Sequence, residues 1–572
     1  MLKFWGLVIL AAISASCNNP MAKNAVVEPM AYYNQVGYVA DLPKLLLVTE
    51  GVALVLIQDH EGNEVFSAVP EPPLFWEQSG DAVRKVDFSA ITKPGFYQVL
   101  LPNENESFEI HISERPFEEL SKAVLRSFYY NRSGMAIEPQ FGGQWARPAG
   151  HPDTIVYVHS SAADEYRPEG TIIASPFGWY DAGDYNKYIV NSGISTYTMF
   201  RALVDFKEFF GLLDANIPES GTGVPDLLSE TMYNYRWMLS MQDPHDGGVY
   251  HKLTNKNFDG MVMPHEATND RFVVSKTTAA ALNFAAVAAQ ASRILSEYEI
   301  HFPGLSEESL EKAEKAWEWA VKNPDIPYVQ PKDIQTGAYG DSHFDDEFFW
   351  AASELYLATG KHEYLDVLID KYSKPMVPTW GQVSTLGFLS LLDEYDNLAE
   401  SLKETGLKED FMALVDQLVS VSQTAPYGVS IQEFAWGSNS QAANEGMLKL
   451  VAYRLTGNEA YFHSALSDLD YILGRNATGY CFVTGFGHKK VMNIHHRPSE
   501  ADGIEEPVPG FLAGGPNVDV FTDCPKNVER SPFPAKSFVD LVCSYSTNEI
   551  AINWNAPLVY LVGGIEARHF KE

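Results

Sequence analysis

The hydrophobic and polar positions follow two different patterns along the chain. From residue 31 to residue 112, apolar residues occur in short runs such as Leu45–Val48 and Phe96–Leu100. Turn-forming sequences, for example Lys93–Gly95, separate these runs. About seven short strands in roughly eighty residues predict an all-β immunoglobulin-like sandwich, which we place at residues 29–114.

After Pro116 the apolar residues recur with the 3.6-residue period of amphipathic helices. The clearest segments with this period are 116–130, 226–241, 276–298, 309–321, 345–358 and 441–455. No unit repeats at a fixed spacing, which argues against a solenoid and favours a helical barrel. We therefore predict a multidomain protein whose second domain, at residues 115–572, is all-α.

Composition excludes one large class of function. The chain of 572 residues is 45% hydrophobic and 20% charged, as in folded globular proteins. Its formal net charge is −34, and nucleic acid is excluded as a partner because a phosphate backbone requires a basic surface. Such acidity is typical of a soluble extracytoplasmic protein, and it also suits a cationic ligand such as an amino-sugar polymer.

The first seventeen residues predict export. Lys3 precedes the apolar stretch Phe4–Ile13, which is too short to cross a bilayer. The following Ser14–Cys17 resembles the lipobox of bacterial lipoproteins, which implies a lipid on Cys17 as the protein's contact with the membrane. The protein would then lie on the periplasmic side of the outer membrane or at the cell surface. A plain signal peptide with an incidental cysteine is the alternative.

Two carboxylates three residues apart stand in the segment Gly178–Tyr188. The small residues Ala182 and Gly183 between them allow a tight turn, so that Asp181 and Asp184 point at one spot. Such a pair can hold a water molecule, with one carboxylate orienting it and the other removing its proton. Taken alone, Asp-x-x-Asp also suits a calcium loop or a helix cap.

The flanking residues make this segment resemble the base motif of glycoside hydrolase family 9, in which Asp-Ala-Gly-Asp is followed by a Lys and an aromatic residue. Further segments that resemble the family are 34–38, 224–230, 345–352, 434–439, 471–476 and 483–487. The resemblance implies an (α/α)6 barrel after the immunoglobulin-like domain, and an inverting hydrolase of sugar chains that requires no cofactor for its chemistry.

A third carboxyl group, Glu549, stands near the end of the chain. Apolar neighbours such as Ile550 disfavour its charged form and raise its pKa, as a proton donor requires. A glutamate at the start of an apolar helix also suits the helix dipole. The resemblance implies Asp184 as the base, Asp181 as its water-orienting partner and Glu549 as the acid.

The segment Asn493–Arg497 resembles another family motif, which implies that His495 and Arg497 contact sugar hydroxyls. A metal shared by adjacent His495 and His496 is not expected, because neighbouring side chains of an extended segment point apart. Flat aromatic faces suit the C–H faces of sugar rings, although any one of them could equally be a core residue. The candidate stacking residues are Trp179, Tyr180, Trp436 and Trp554.

Two positions depart from the family pattern. Gly150 stands where many members have a zinc-binding Cys beside the position of His151, which argues against a zinc site and leaves a structural calcium open. Trp554 stands where many endoglucanases have Tyr, so the nearby sugar subsite is not defined by the resemblance.

Three cysteines follow Cys17, and an odd number in an exported protein indicates one pair and one free thiol. Cys524 and Cys543 enclose a polar loop just upstream of Glu549, and we predict that they form a disulfide. Cys481 has apolar neighbours and is predicted to be a buried thiol.

The sequence therefore predicts a hydrolase of β-1,4-linked glucan-type chains: cellulose-like, mixed-linkage or xyloglucan. One alternative is an exo-acting β-glucosaminidase on chitosan oligosaccharides, since an acidic cleft attracts a cationic sugar. The other is a non-catalytic sugar-binding lipoprotein, against which the presence of Asp181, Asp184 and Glu549 together argues. The sequence gives neither endo or exo action nor the oligomeric state.

Overall fold

The computed structural model describes residues 29–570. The predicted export signal and Cys17 lie outside these residues. None of the helices in the described part of the chain is both long enough and apolar enough to cross a membrane.

The N-terminal domain is a β-sandwich. Its strands are β1 (Ala31–Tyr32), β2 (Tyr38–Val39), β3 (Leu45–Thr49), β4 (Val55–Gln58), β5 (Glu64–Ala68), β6 (Leu74–Trp76), β7 (Asp81–Asp87), β8 (Gly95–Leu101) and β9 (Glu106–Ser113). One sheet has the order β1-β3-β7-β6 and the other β2-β9-β8-β4-β5. Inward-facing residues such as Leu46, Ile57 and Val99 form the core between the sheets. The count exceeds the predicted seven because β1, β2 and β6 have only two or three residues each.

The second domain is mainly helical. Its α-helices within residues 29–570 are α1 (Glu118–Tyr130), α2 (Pro139–Gly142), α3 (Ile189–Asp205), α4 (Lys207–Leu212), α5 (Asp226–Ser240), α6 (Thr278–Leu295), α7 (Leu305–Lys322), α8 (Asp345–Thr359), α9 (His362–Asp370), α10 (Ser384–Asp393), α11 (Glu400–Lys403), α12 (Leu407–Thr424), α13 (Ser438–Thr456), α14 (Glu459–Ile472), α15 (Arg497–Ala501), α16 (Tyr545–Asn548) and α17 (Ile552–Ala567).

Six helices pack on one another as an inner layer, and other helices lie between most of them in sequence. The inner set is α3, α6, α8, α10, α13 and α17. Within it α3 packs on α6 and α17, α8 packs on α6 and α10, and α13 packs on α17. Amphipathic helices such as α7 and α12 cover this inner layer from outside. The predicted sandwich followed by an (α/α)6 barrel is confirmed.

A small sheet on the barrel was not predicted. Its strands are β10 (Val156–Val158), β11 (Ile172–Ile173), β12 (Lys187–Tyr188), β13 (Tyr250–Thr254) and β14 (Phe272–Lys276), in the order β11-β10-β14-β13-β12. All five residues of β13 are buried although three of them are polar, so the sequence lacks the alternation that marks a half-buried strand. Strand β12 follows directly after the Asp181–Asp184 turn, and the sheet therefore lies beside it.

The two domains share a polar and aromatic interface. The Asn34 amide donates to Asp470 Oδ1 (2.8 Å), and the Gln35 amide donates to the carbonyl of Gly479 (2.7 Å). The ring of Trp76 lies 5.0 Å from that of Tyr427, centroid to centroid. The sandwich thus packs directly on the helical domain. Elsewhere, Cys524 and Cys543 form a disulfide, and Cys481 is a buried free thiol.

Candidate active site

The turn Asp181–Asp184 lies against the extended segment that carries His495 and Arg497. A Cβ on Gly183 would lie 2.0 Å from the carbonyl oxygen of His495, so only glycine fits there. The Arg497 backbone N–H and Nη1 both donate to the carbonyl oxygen of Gly183, at 3.2 and 2.6 Å. These contacts fix the position of both aspartates relative to residues 495–497.

Asp181 is buried and held by two donors. Asn191 Nδ2 donates to Oδ1 and the Tyr339 hydroxyl donates to Oδ2, each at 2.9 Å. Burial and the negative charge of Asp184 nevertheless raise the pKa of Asp181 to about 8. The surroundings of Asp181 therefore favour its protonated form at neutral pH.

Asp184 accepts hydrogen bonds on one of its oxygens. Asn186 Nδ2 donates to Oδ2, and the Tyr188 hydroxyl lies 3.5 Å from the same atom. Within residues 29–570, Oδ1 has no hydrogen-bond donor. Oδ2 is therefore held by donors, whereas Oδ1 stays open to a further hydrogen-bond donor such as water.

Glu549 follows the short helix α16 and pairs with His495 in a parallel β-bridge. The backbone N–H of Gly514 donates to the Glu549 carbonyl (2.9 Å), which fixes the chain on its other side. Burial, followed by the charges of Asp184 and Asp181, holds the pKa of Glu549 well above its usual range, although Arg497 opposes this. These surroundings favour the protonated form of Glu549.

His495 and Arg497, the predicted sugar contacts, are both ordered by backbone carbonyls. His495 Nδ1 donates to the carbonyl of Val542 (2.7 Å), and burial lowers the pKa of this histidine. The ring is therefore neutral with an unprotonated Nε2. Arg497 Nε donates to the carbonyl of Asp259 (3.0 Å), in addition to the bonds to Gly183. Arg497 thus has a structural role in the turn, and its sugar contact stays a prediction.

Comparison with known proteins agrees with this geometry. Residues 117–562 match glycosyl hydrolase family 9, and residues 31–106 match the cellulase N-terminal ig-like domain. The chain belongs to glycosyl hydrolase family 9.

Relatives with known names match almost the whole chain. A xyloglucan-specific endo-beta-1,4-glucanase of Bacteroides ovatus, BoGH9A, is 42% identical over 98% of this chain and 97% of its own length. Endoglucanase D of Acetivibrio thermocellus is 31% identical over 93% of this chain and 82% of its own. A solved family 9 structure from Bacteroides ovatus superimposes with a TM-score of 0.89 at 42% identity, covering 95% of this chain and 99% of that one. This family 9 protein is a glycoside hydrolase with cellulase-like activity on β-1,4-linked glucan.

Two of the predicted sugar-stacking residues are core residues, and that prediction is wrong for both. Trp179 is fully buried, packs on Phe128 and donates its Nε1–H to Glu230 Oε1 at 2.8 Å. Tyr180 is also buried, with its hydroxyl 2.8 Å from Nδ1 of His151. Both flank the aspartate turn in sequence, but the turn itself is enclosed, so its aromatic neighbours face the interior.

Trp436 is the exposed member of the predicted set, with 44% of its surface accessible. Its ring centroid lies 5.5 Å from that of Tyr545, which in turn lies 5.9 Å from that of His495. Trp554 is partly buried behind Trp436, because its ring packs against Gly437 and Gly514. Sugar stacking stays a prediction for Trp436 and Trp554.

The sequence did not indicate several residues that the fold brings to the turn. Tyr339 reaches Asp181 across 158 positions of sequence and packs on Tyr188, with 4.7 Å between ring centroids. Phe258 is 48% exposed and lies 5.6 Å below the Arg497 guanidinium. No motif marks these residues; only the three-dimensional arrangement does.

The surroundings of Gly150 and His151 account for the glycine that departs from the family pattern. A Cβ at Gly150 would lie 2.4 Å from the backbone of Pro264, so a cysteine does not fit there without displacing that loop. Burial lowers the pKa of His151 to about 3. Instead Asp153, two residues on, pairs with Lys187 (2.7 Å). Within residues 29–570, no group of three or more His, Cys, Asp or Glu side chains could hold a metal ion.

Proposed function

We propose that this enzyme is an inverting hydrolase in which Asp184 is the base, Asp181 orients the water and Glu549 is the acid. The observation that carries the proposal is the difference between the three carboxyl groups. Glu549 has a strongly raised pKa, whereas Asp184 is stabilised by donors from Asn186 and Tyr188. Glu549 is thus favoured in its protonated form, and Asp184 keeps one oxygen open to accept a proton, which suits the two groups to the opposite roles of acid and base.

The reaction follows from these roles. Glu549 donates its proton to the glycosidic oxygen as the bond to the anomeric carbon breaks. Asp184 Oδ1 removes a proton from a water molecule, whose oxygen attacks the anomeric carbon from the opposite side. Asp181, fixed by Asn191 and Tyr339, holds that water in place. A β-linkage thereby yields a product with the α-configuration.

Product configuration and two substitutions test this mechanism. Asp184→Ala and Glu549→Ala should each lower kcat at least about a thousandfold, because each variant lacks the side chain that carries out one of the two proton transfers. Proton NMR of the first product formed should show the α-anomer. Unchanged turnover in either variant, or a β-anomer as the first product, would show that the assignment is wrong.

For the substrate, we propose xyloglucan cut within the chain. Support comes from the name of the 42% identical relative, which is a xyloglucan-specific endo-beta-1,4-glucanase. Two exposed aromatic residues are also connected to the turn by separate sets of contacts. Trp436 is reached through His495 and Tyr545, and Phe258 is reached through Arg497. A polysaccharide with sugars bound on both sides of the cleaved bond requires such an extended surface.

A substrate panel separates this proposal from the alternatives. We expect the fastest cleavage on xyloglucan, with an early fall in viscosity, relative to carboxymethylcellulose, mixed-linkage glucan and chitosan oligosaccharides. Faster release of single glucosamine units from chitosan oligosaccharides would favour the exo-glucosaminidase. Equal rates on xyloglucan and unbranched glucan would show that the side chains of xyloglucan are not recognised.

We also propose that the protein is exported and lipidated at Cys17. The support is the sequence Ser14–Cys17 after a short apolar stretch. Labelled palmitate should be incorporated into the wild-type protein and not into Cys17→Ser, and only the wild type should sediment with membranes. Equal labelling of the two proteins would refute the lipid attachment.

A further inference from the structure

A buried lysine lies near the proposed base but not in contact with it. Lys252 belongs to β13 and is completely buried. Its Nζ donates to the carbonyl of Gly337 (2.6 Å) and to the hydroxyl of Thr336 (3.0 Å). The ammonium group also lies 5.5 Å from the ring centroid of Tyr188. An ammonium group so deeply buried needs a compensating role or partner.

A chain of hydrogen bonds connects this ammonium group to Asp184. The hydroxyls of Thr336 and Thr254 are 2.6 Å apart, and the Thr254 hydroxyl lies 2.9 Å from Asn186 Oδ1. Asn186 Nδ2 then donates to Asp184 Oδ2. Each of these side chains is buried.

The lysine sets the direction of this chain. An ammonium group has protons to donate and no lone pair, so the Thr336 oxygen must accept from Lys252. The proton of Thr336 is then free to point to Thr254, and that of Thr254 to the amide oxygen of Asn186. Each hydrogen bond in the chain is therefore donated in the direction of Asp184, and the amide N–H of Asn186 is the final donor.

A second donor fixes the same amide. The backbone N–H of Asn255 donates to Asn186 Oδ1 at 3.1 Å, so the oxygen side of the amide faces strand β13 and the nitrogen side faces Asp184. The Thr254 hydroxyl also lies 2.8 Å from the Asn255 carbonyl, an alternative acceptor for its proton. Loss of the lysine should therefore weaken the orientation of Asn186 rather than abolish it.

We propose that Lys252, through Thr336 and Thr254, orients the Asn186 amide on Asp184 and holds the base as a carboxylate. Lys252 touches neither substrate nor water in this role and is a positioning residue. The proposal rests on the proposed function, because it assumes that Asp184 is the base.

Electrostatics supports this assignment. The titratable and charged groups around Asp184 and Lys252 are Asp181, Tyr188, His251, Tyr328, His495, Arg497 and Glu549. The two other carboxyl groups disfavour a charge on Asp184, and Lys252 supplies the opposite charge from the side of the sheet. Burial lowers the pKa of Lys252 to about 7, against the attraction of Asp184. The lysine is therefore charged on the acidic side, where the base is at risk of protonation.

The test is the pH dependence of turnover in Lys252→Met. We expect kcat on xyloglucan to fall about tenfold, with KM changed less than about threefold, because a positioning residue acts on the base and not on binding. The acidic limb of the kcat/KM profile should move to higher pH. Lys252→Arg should restore part of the rate. Thr254→Val removes one hydroxyl at nearly constant volume and should move the same limb, which keeps the test valid if the methionine variant does not fold.

Lys276→Met is the matched control. Lys276 lies on the neighbouring strand β14 and pairs with Asp164, Asp243 and Asp246. It takes no part in the hydrogen-bond chain from Lys252 to Asp184, so its loss should leave the acidic limb of the kcat/KM profile unchanged. A wild-type pH profile in folded Lys252→Met or Thr254→Val would overturn the proposal. Full activity of Asp184→Ala would instead overturn the proposed function, which separates the two failures.

Discussion

Gly183 separates the two aspartates of the turn, and its missing side chain allows the closest contact in the site. A Cβ at this position would lie 2.0 Å from the carbonyl oxygen of His495, whereas ordinary contact begins at 3.4 Å. Gly183→Ala must therefore open the gap by about 1.4 Å, the difference between these two distances. The backbone fixes the position of the Cβ, and the atom it meets is a backbone carbonyl oxygen, so no side-chain rotation can relieve the contact.

The displacement has two calculable effects. Forcing an extra methyl group into a packed site costs about 1–3 kcal/mol of stability. A shift of about 1 Å between catalytic groups lowers turnover about a hundredfold. Because Arg497 bonds to the carbonyl of Gly183, and His495 pairs with Glu549, the shift moves Asp184 away from Glu549, the proposed base from the proposed acid. We expect folded Gly183→Ala to keep substrate binding and lose about 99% of kcat.

The assay is steady-state hydrolysis of xyloglucan together with thermal unfolding. Gly211→Ala is the matched control, since this glycine lies in helix α4 and a Cβ there has no heavy atom within 4 Å. The control should keep both kcat and Tm. If Gly183→Ala has wild-type kcat, the turn is not held against His495 in solution and the reasoning is wrong.

Four further predictions concern stability, and the last of them also concerns activity. Asp181→Asn should raise Tm relative to wild type, increasingly from about pH 4 to pH 8, because over this range the unfolded state releases the Asp181 proton whereas the native state, in which the pKa of Asp181 is about 8, retains it. Asp153→Asn should instead lower Tm at neutral pH, because it leaves two buried cations without their ion-pair partner. Cys524→Ser opens a loop that spans 19 positions and should lower the free energy of unfolding in urea by about 3 kcal/mol. If reduction of the wild-type protein leaves its free energy of unfolding unchanged, this prediction is wrong. Trp76→Ala should lower the free energy of unfolding by about 3 kcal/mol. It should also lower kcat/KM on polymer, because this ring supports the loop that carries Trp436. An unchanged kcat/KM would show that the sandwich does not support that loop.

The sequence predicted the elements whose patterns are local. Strands of the sandwich and helices such as α6 follow from hydrophobic periodicity, and the aspartate turn follows from its small residues. Strand β13 escaped prediction because its polar residues are buried: Lys252 is satisfied by a loop some eighty residues further along the chain. Hydrophobic periodicity predicts an element only where apolar residues are buried and polar residues are exposed. A buried polar side chain does not follow this rule, so the pattern is lost in β13.

Site prediction failed for a related reason. Trp179 and Tyr180 stand beside Asp181 in sequence and nevertheless face the core, whereas Tyr339, far away in sequence, donates to Asp181. Proximity in sequence places backbones near each other but does not decide which way adjacent side chains point. The sequence did not distinguish exposed Trp436 from buried Trp179, because each has an adjacent glycine and a phenylalanine two positions earlier.

Asp153 and Asp181 show how function can be separated from structure within one buried cluster. Both carboxyl groups are buried, but Lys187 and Arg271 hold the pKa of Asp153 below its usual range, whereas burial and Asp184 raise that of Asp181. Asp153 therefore stabilises the fold above its ordinary pKa and loses this contribution in acid. Asp181 does the opposite, since its charge is unpaired and is disfavoured by folding. The sign of the change in Tm on replacement by Asn should therefore separate a buried acid that stabilises the fold from one that destabilises it, which is the pattern that the proposed role of Asp181 requires.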